Sequence, residues 1–203
     1  MNKQLISMII GVTVLIGLAG TGTQNQARAI GGQTKMAGAG KAGGVYVAPL
    51  PIEKTAPALG TNGTWINGSP TTIAAQKGKV VILTFWTHGC INCKRTLPFW
   101  NSWAKQYSGK DVTVLSVHTP ELKFERNVEN VRRFTRERGL LFPVVTDNDF
   151  KSWNAYGVEA WPTTILIDKR GRIRARWEGE LDWQGNGEYK KVETAIEQLR
   201  KEN

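Results

Sequence analysis

The sequence predicts an α/β domain in which a central mixed β-sheet is flanked by helices. Three observations carry this. Apolar, β-branched runs alternate with amphipathic helical stretches, and the series ends in a hairpin and a final helix. The first long apolar run of the folded part, Lys79–Trp86, leads straight into the two cysteines of the chain, which places them in a strand-to-helix turn. From about Thr55 onward there are roughly 150 residues, enough for one domain with a real core.

The elements follow in order. Turn residues around a short apolar centre at 60–70 predict an N-terminal β-hairpin extension. Lys79–Trp86, "KVVILTFW", is continuously apolar, as in a strand buried on both faces. Cys90–Tyr107 reads as a helix with Leu97, Trp100, Trp103 and Ala104 in its apolar stripe and a kink at Pro98. Val112–Val117 is a second buried strand. Asn127–Gly139 is an amphipathic helix with Val128, Val131, Phe134 and Thr135 inward and Gly139 at its C-terminal cap. Leu141–Asp147 is a third strand and Asp149–Gly157 a short helix. Thr163–Asp168, the turn "DKRG" and Arg172–Gly179 form a β-hairpin, and Val192–Glu202 closes the chain as a helix.

Residues 1–29 read as an export signal: Lys3, the uncharged apolar run Leu5–Gly20, then the small-x-small "ARA" ending at Ala29. Cleavage after Ala29 is expected; the rival is an uncleaved membrane anchor, since the run is only slightly shorter than the ~20 residues that span a bilayer. Residues 30–54 form a Gly/Ala-rich linker without periodicity, and 55–203 the folded domain. Net charge is +10, and removing Lys3 and Arg28 with the signal leaves +8. The charge is spread thinly and the address is extracytoplasmic, periplasmic or secreted. Nucleic acid is therefore not the expected partner, whereas some attraction to anionic headgroups is.

"WTHGCINCKR", Trp86–Arg95, holds Cys90 and Cys93 two residues apart. They could be a staple, a metal clamp or a working redox pair. As a staple the bridge closes a tiny loop and contributes only about 2 kcal/mol. At a helix start the free N–H groups and the dipole favour the Cys90 thiolate, while Cys93 lies one turn on, same face, deeper. Cys90 is then the attacking and Cys93 the resolving thiol. Lys94 and Arg95 either add positive potential or are ordinary surface charge. His88 either stabilises the thiolate as a cation, exchanges protons, or faces solvent. A metal (copper or zinc) carrier remains the alternative: Cys90, Cys93, His88 and His118 are all the thiols and imidazoles of the chain, a tetrahedral set by type. Peroxide reduction is a second rival, disfavoured because a pair stands where a lone reactive cysteine would be.

"VVILTFWTHGCINCKRTLP" resembles the active-site strand and helix of the thioredoxin superfamily, and "GVEAWPTTILIDKRGRIRARWEGE" its cis-proline strand and hairpin. The pattern is most similar to the extracytoplasmic TlpA/ResA-like redoxins, and among them to the thioredoxin-like domain of DipZ-type proteins. These share an "FWT…CINC…RTLP" run and the "VHTPE" seen at Val117–Glu121. The resemblance implies a thioredoxin fold from about Gly60 onward and a cis Trp161–Pro162 peptide beside the dithiol. It also implies thiol–disulfide oxidoreductase activity without an organic cofactor, a redox-active Cys90–Cys93 disulfide carrying the electrons. A protein disulfide substrate and an upstream electron donor follow, in a monomer whose N-terminus could tether it to a membrane. Trp86, His88 and Trp161 are expected to line the substrate groove. One position departs from thioredoxin: its buried Asp relay is replaced by Thr84, which cannot relay a proton, and Glu159 is the candidate substitute beside a surface role. The Ile91–Asn92 dipeptide tunes the redox balance. Analogy with TlpA/ResA proteins and cytochrome c maturation favours reduction over oxidation or isomerisation.

Overall fold

The computed structural model describes residues 50–60 and 62–202. The expected signal and most of the expected linker lie outside the described residues. Seven strands form one mixed sheet: β1 (Lys54–Thr55), β2 (Trp65–Ile66), β3 (Val80–Trp86), β4 (Val112–His118), β5 (Val144–Thr146), β6 (Thr163–Ile167) and β7 (Arg172–Glu178), in the spatial order β1-β7-β6-β3-β4-β5-β2. The four α-helices among the described residues are α1 (Ile91–Gln106), α2 (Val128–Glu137), α3 (Lys151–Tyr156) and α4 (Glu188–Lys201).

β3 occupies the middle of the sheet, parallel to β4 and antiparallel to β6. All seven of its residues are buried, because both faces are covered. Ile82 and Trp86 point into a core with Leu97, Trp100 and Trp103 of α1, Val131 of α2, and Val192, Ile196 and Leu199 of α4. Val81, Leu83 and Phe85 face the other way, against Tyr156 of α3, Val158, Ile165 and Ile173. This two-sided alternation follows from the period of two along a strand. It also explains why α1 begins where β3 ends: the turn at 87–90 is the only chain between them.

Three expectations are corrected. Among the described residues no hairpin forms over 60–70: β2 pairs with β5 at one edge of the sheet while β1 pairs with β7 at the opposite edge. Its turn residues instead shape an edge crossing, in which Asn67 takes a left-handed conformation and donates to the Leu140 and Phe142 carbonyls. Residues 50–54, expected in the linker, belong to the fold. Arg174, 4% exposed, draws in the carbonyls of Leu50 and Pro51 while pairing with Asp168 and Glu202. Finally, α4 starts at Glu188, a turn before the expected Val192. The predicted β6–β7 turn is present, with Asp168 accepting from the Arg170 and Arg172 N–H groups and Gly171 at φ 80°.

Candidate active site

The site is built at the end of β3. Thr119 N–H donates to the Trp86 carbonyl, extending the β3–β4 pairing one step beyond the strands. The chain then turns through Thr87, His88 and Gly89, with Cys90 N–H returning to the Thr87 carbonyl. Cys90 is the N-cap of α1 and its sulfur accepts the Cys93 N–H at 3.1 Å. A capping position normally held by Ser, Thr, Asp or Asn is thus filled by a thiol, which meets the free donors of the first helical turn. Pro98 lies inside α1, which continues through it as one element.

Burial separates the two sulfurs. Cys90 is half-buried and Cys93 is fully enclosed, and both are free thiols. The Cys93 side chain and the N–H groups of Cys93 and Asn92 bring the Cys90 thiol down from 9.0 to about 7, against desolvation and the Glu121 carboxylate. Desolvation pushes the Cys93 thiol far up, and Cys90 and Glu121 push it the same way. At neutral pH a large fraction of Cys90 is thiolate while Cys93 keeps its proton.

Across from the dithiol, the Trp161–Pro162 peptide is cis. The Trp161 carbonyl faces the Cys90 sulfur at 3.9 Å, and Pro162 is buried. The Trp161 indole is half-exposed, donates to the Thr119 carbonyl at 2.9 Å and packs tilted against Trp153, with ring centroids 4.2 Å apart. Cys90, Cys93, Pro162 and Trp161 are therefore brought together.

Other candidates sit elsewhere. Trp86 is wholly buried, its indole bonded to the Ser116 hydroxyl and its ring edge-on to His118, so it underlies the site and offers no surface to a substrate. Glu159, three residues before the cis proline, is exposed and its carboxylate makes no hydrogen bond among the described residues. The acid whose field reaches both sulfurs is Glu121. Thr84 is buried and its hydroxyl has no partner among the described residues, consistent with a position that relays no proton. Lys94 reaches back to the Gly89 carbonyl at 3.4 Å and Arg95 pairs with Glu180.

The two histidines meet each other rather than the sulfurs. His88 Nδ1 lies 3.0 Å from His118 Nε2, with the rings stacked, and the same nitrogen takes the His88 N–H and lies 3.3 Å from the Thr87 hydroxyl. Burial brings His118 down to about 3, so it is neutral at physiological pH. Burial also lowers His88, against the pull of Glu125, so His88 is no fixed cation beside Cys90. Among the described residues no three His, Cys, Asp or Glu side chains cluster as metal ligands, so the four-ligand carrier set is not assembled.

One residue built into the site escaped sequence reasoning. Glu125 is fully buried beneath the turn that carries the cysteines, where its carboxylate accepts the Gly89 N–H. Between Phe124 and Arg126 in a polar stretch it reads as a surface acid; the one sequence signal is its place four residues after the "TPE" turn.

The chain is similar to known proteins over its described domain. The chain is 35% identical over 148 residues to protein DipZ of Mycobacterium bovis, a match covering 71% of this chain and 20% of DipZ. It thus spans about a fifth of that relative's length. It is 36% identical over 127 residues to the thiol-disulfide oxidoreductase ResA of Geobacillus thermodenitrificans, covering 60% of this chain and 70% of ResA. The exposed lipoprotein thioredoxin of Streptococcus pneumoniae superposes with a TM-score of 0.55 at 27% identity, over 68% of this chain and 99% of that one. The fold is that of the thioredoxin-like proteins. The family pattern of the AhpC/TSA proteins matches residues 52–176, most of the described domain, and the chain belongs to that family.

Proposed function

We propose that the protein is an extracytoplasmic thiol–disulfide oxidoreductase that reduces selected protein disulfides. The observation that carries this is the asymmetry of the pair: a half-exposed Cys90 held near pKa 7 at a helix N-cap, and a buried, protonated Cys93 one turn behind it.

The chemistry follows. The Cys90 thiolate attacks one sulfur of a substrate disulfide, forming a mixed disulfide and releasing one substrate thiolate, which takes up a proton. Cys93 gives up its proton and attacks the Cys90 sulfur. The Cys90–Cys93 disulfide forms and the second substrate thiol leaves. Two electrons pass to the substrate, so a separate donor of two electrons must regenerate the dithiol. No organic cofactor is needed. The Trp161 carbonyl and the proline after it, which has no N–H of its own, leave an open edge beside Cys90 along which an extended substrate segment can lie.

The direction has physical support. A thiolate stabilised to a very low pKa favours the reduced form and makes an oxidant, as at a pKa of about 3.5, whereas about 7 belongs to a reductant. The name of the ResA relative gives thiol–disulfide exchange itself, without its direction. The export reading of residues 1–29 supports an address outside the cytoplasm, with a membrane tether if the signal stays attached. Among the described residues no helix is long and apolar enough to cross a membrane. We take the working form to be a monomer with a protein substrate, a separate electron donor and no nucleic-acid partner.

The test is reduction of a model protein disulfide with dithiothreitol as donor. The protein is expected to accelerate it, Cys90→Ser to abolish the acceleration, and Cys93→Ser to accumulate a covalent mixed disulfide at Cys90. Full activity in Cys90→Ser would refute the assignment.

A further inference from the structure

Glu125 places a carboxylate inside the protein, fully buried. One oxygen accepts the Gly89 N–H at 2.8 Å; the other accepts the Glu121 and Leu122 N–H groups at 2.7 Å each. Among the described residues no Lys, Arg or His forms an ion pair with it. The charge is therefore held by three backbone donors from two separate turns, and charge-assisted bonds of this kind are short and strong. A buried carboxylate is expensive unless so satisfied, so its presence calls for a task.

The two turns it joins are the two that shape the site. Gly89 immediately precedes Cys90. The turn from Thr119 to Leu122 carries the carbonyl on which the Trp161 indole hangs, and the Trp161 main chain faces the Cys90 sulfur. The contact is tight enough to dictate the residue at position 89: a Cβ there would lie 2.2 Å from the Glu125 oxygen. Gly89 is required for room, since its backbone does not adopt positive φ.

We propose that Glu125 is a positioning residue for the dithiol: by clamping the Gly89–Cys90 turn to the 119–122 turn, it fixes the Cys90 sulfur between the Cys93 N–H and the Trp161 carbonyl. This rests on the oxidoreductase reading above and deepens it. Glu125 touches neither sulfur and acts through Gly89.

Glu125→Gln tests it. The amide keeps the shape and one acceptor oxygen, but its NH2 group only donates, so one of the two turns loses its acceptor and meets a donor. Gly89→Ala strains the same contact from the other side and leaves the charge in place. Both are expected to raise the pH midpoint of Cys90 alkylation by iodoacetamide and to slow alkylation at neutral pH by about tenfold. The double variant is expected to be little worse than the more affected single one, because both act on one contact.

A midpoint unchanged in both variants, with only a lower Tm, would mean a purely structural role and overturn the proposal. A midpoint that falls in Glu125→Gln would overturn it too, because it would show only the loss of a nearby negative charge. Should Glu125→Gln fail to fold, Gly89→Ala decides by the same midpoint. Alkylation needs no disulfide substrate. A wild-type protein that reduces no protein disulfide would therefore defeat the functional reading while leaving the Glu125 result interpretable.

Discussion

At the scale of single residues, the working pair is two copies of one side chain made different by place. Cys90 meets helix N–H donors and Cys93 meets none of the solvent, and opposite pH dependences of stability follow. Unfolded, both thiols ionise near 9.0. Folded Cys90 ionises near 7, so between about 7 and 9 the unfolded chain binds the extra proton and the reduced protein gains stability as pH rises. Cys93 stays protonated when folded, so above 9.0 the sign reverses and stability falls. The difference in Tm between reduced and oxidised protein is expected to peak near pH 9; a difference independent of pH would contradict the asymmetry. His118 adds a second slope. Its folded value of about 3 lies below the ordinary 6.5, so the stability it contributes is lost as pH falls below 6.5. His118→Phe is expected to flatten the stability curve between pH 6.5 and 4, measured by denaturant unfolding. The cysteines were legible in the sequence because a two-residue spacing after a buried strand has one geometric consequence. The His88–His118 pair was not. Its partners are 30 positions apart, one in the turn just after β3 and the other at the end of the parallel β4, and only the β3–β4 register, with Trp86 opposite His118, brings them together.

At the scale of elements, long periodic segments were readable and short ones were not. β3, with seven buried apolar or β-branched positions, and α1, with its stripe Cys93, Leu97, Trp100 and Trp103, carry their burial pattern in their spelling. β1 and β2 have two residues each and no period to detect; their places come from partners far away in the chain. Arg174 shows how such a short edge is held. It sits in a strand with 4% exposure and joins Asp168, Glu202 and the carbonyls of residues 50 and 51. Removing one partner of a buried ionic set leaves the others uncompensated, so Arg174→Ala is expected to cost about 3 kcal/mol in denaturant unfolding. Hydrogen exchange is expected to rise at Glu53 and Ala56, whose N–H groups bond the Ile173 and Gly171 carbonyls. Unchanged stability would show that β1 docks without the clamp.

At the scale of the whole molecule, the sheet order β1-β7-β6-β3-β4-β5-β2 puts the strand that delivers Cys90 at the centre, between the strand that delivers Trp161–Pro162 and the strand that delivers His118. Cys90, the cis Trp161–Pro162 peptide and the buried His118 thus arise from one end of three adjacent strands. The class of fold and the pair's chemistry were legible because several separated motifs occur in the right order. The brace beneath the pair was not, because Glu125 is recognised only by what it accepts. If this end of the sheet makes a reducing dithiol, the reduction potential of Cys90–Cys93 shows it, read by tryptophan fluorescence across a series of thiol buffers. A value near or below about −250 mV, in the range of thioredoxin, is expected; a value between about −180 and −120 mV, in the range of isomerases and oxidants, would mean that the pair makes or shuffles disulfides instead.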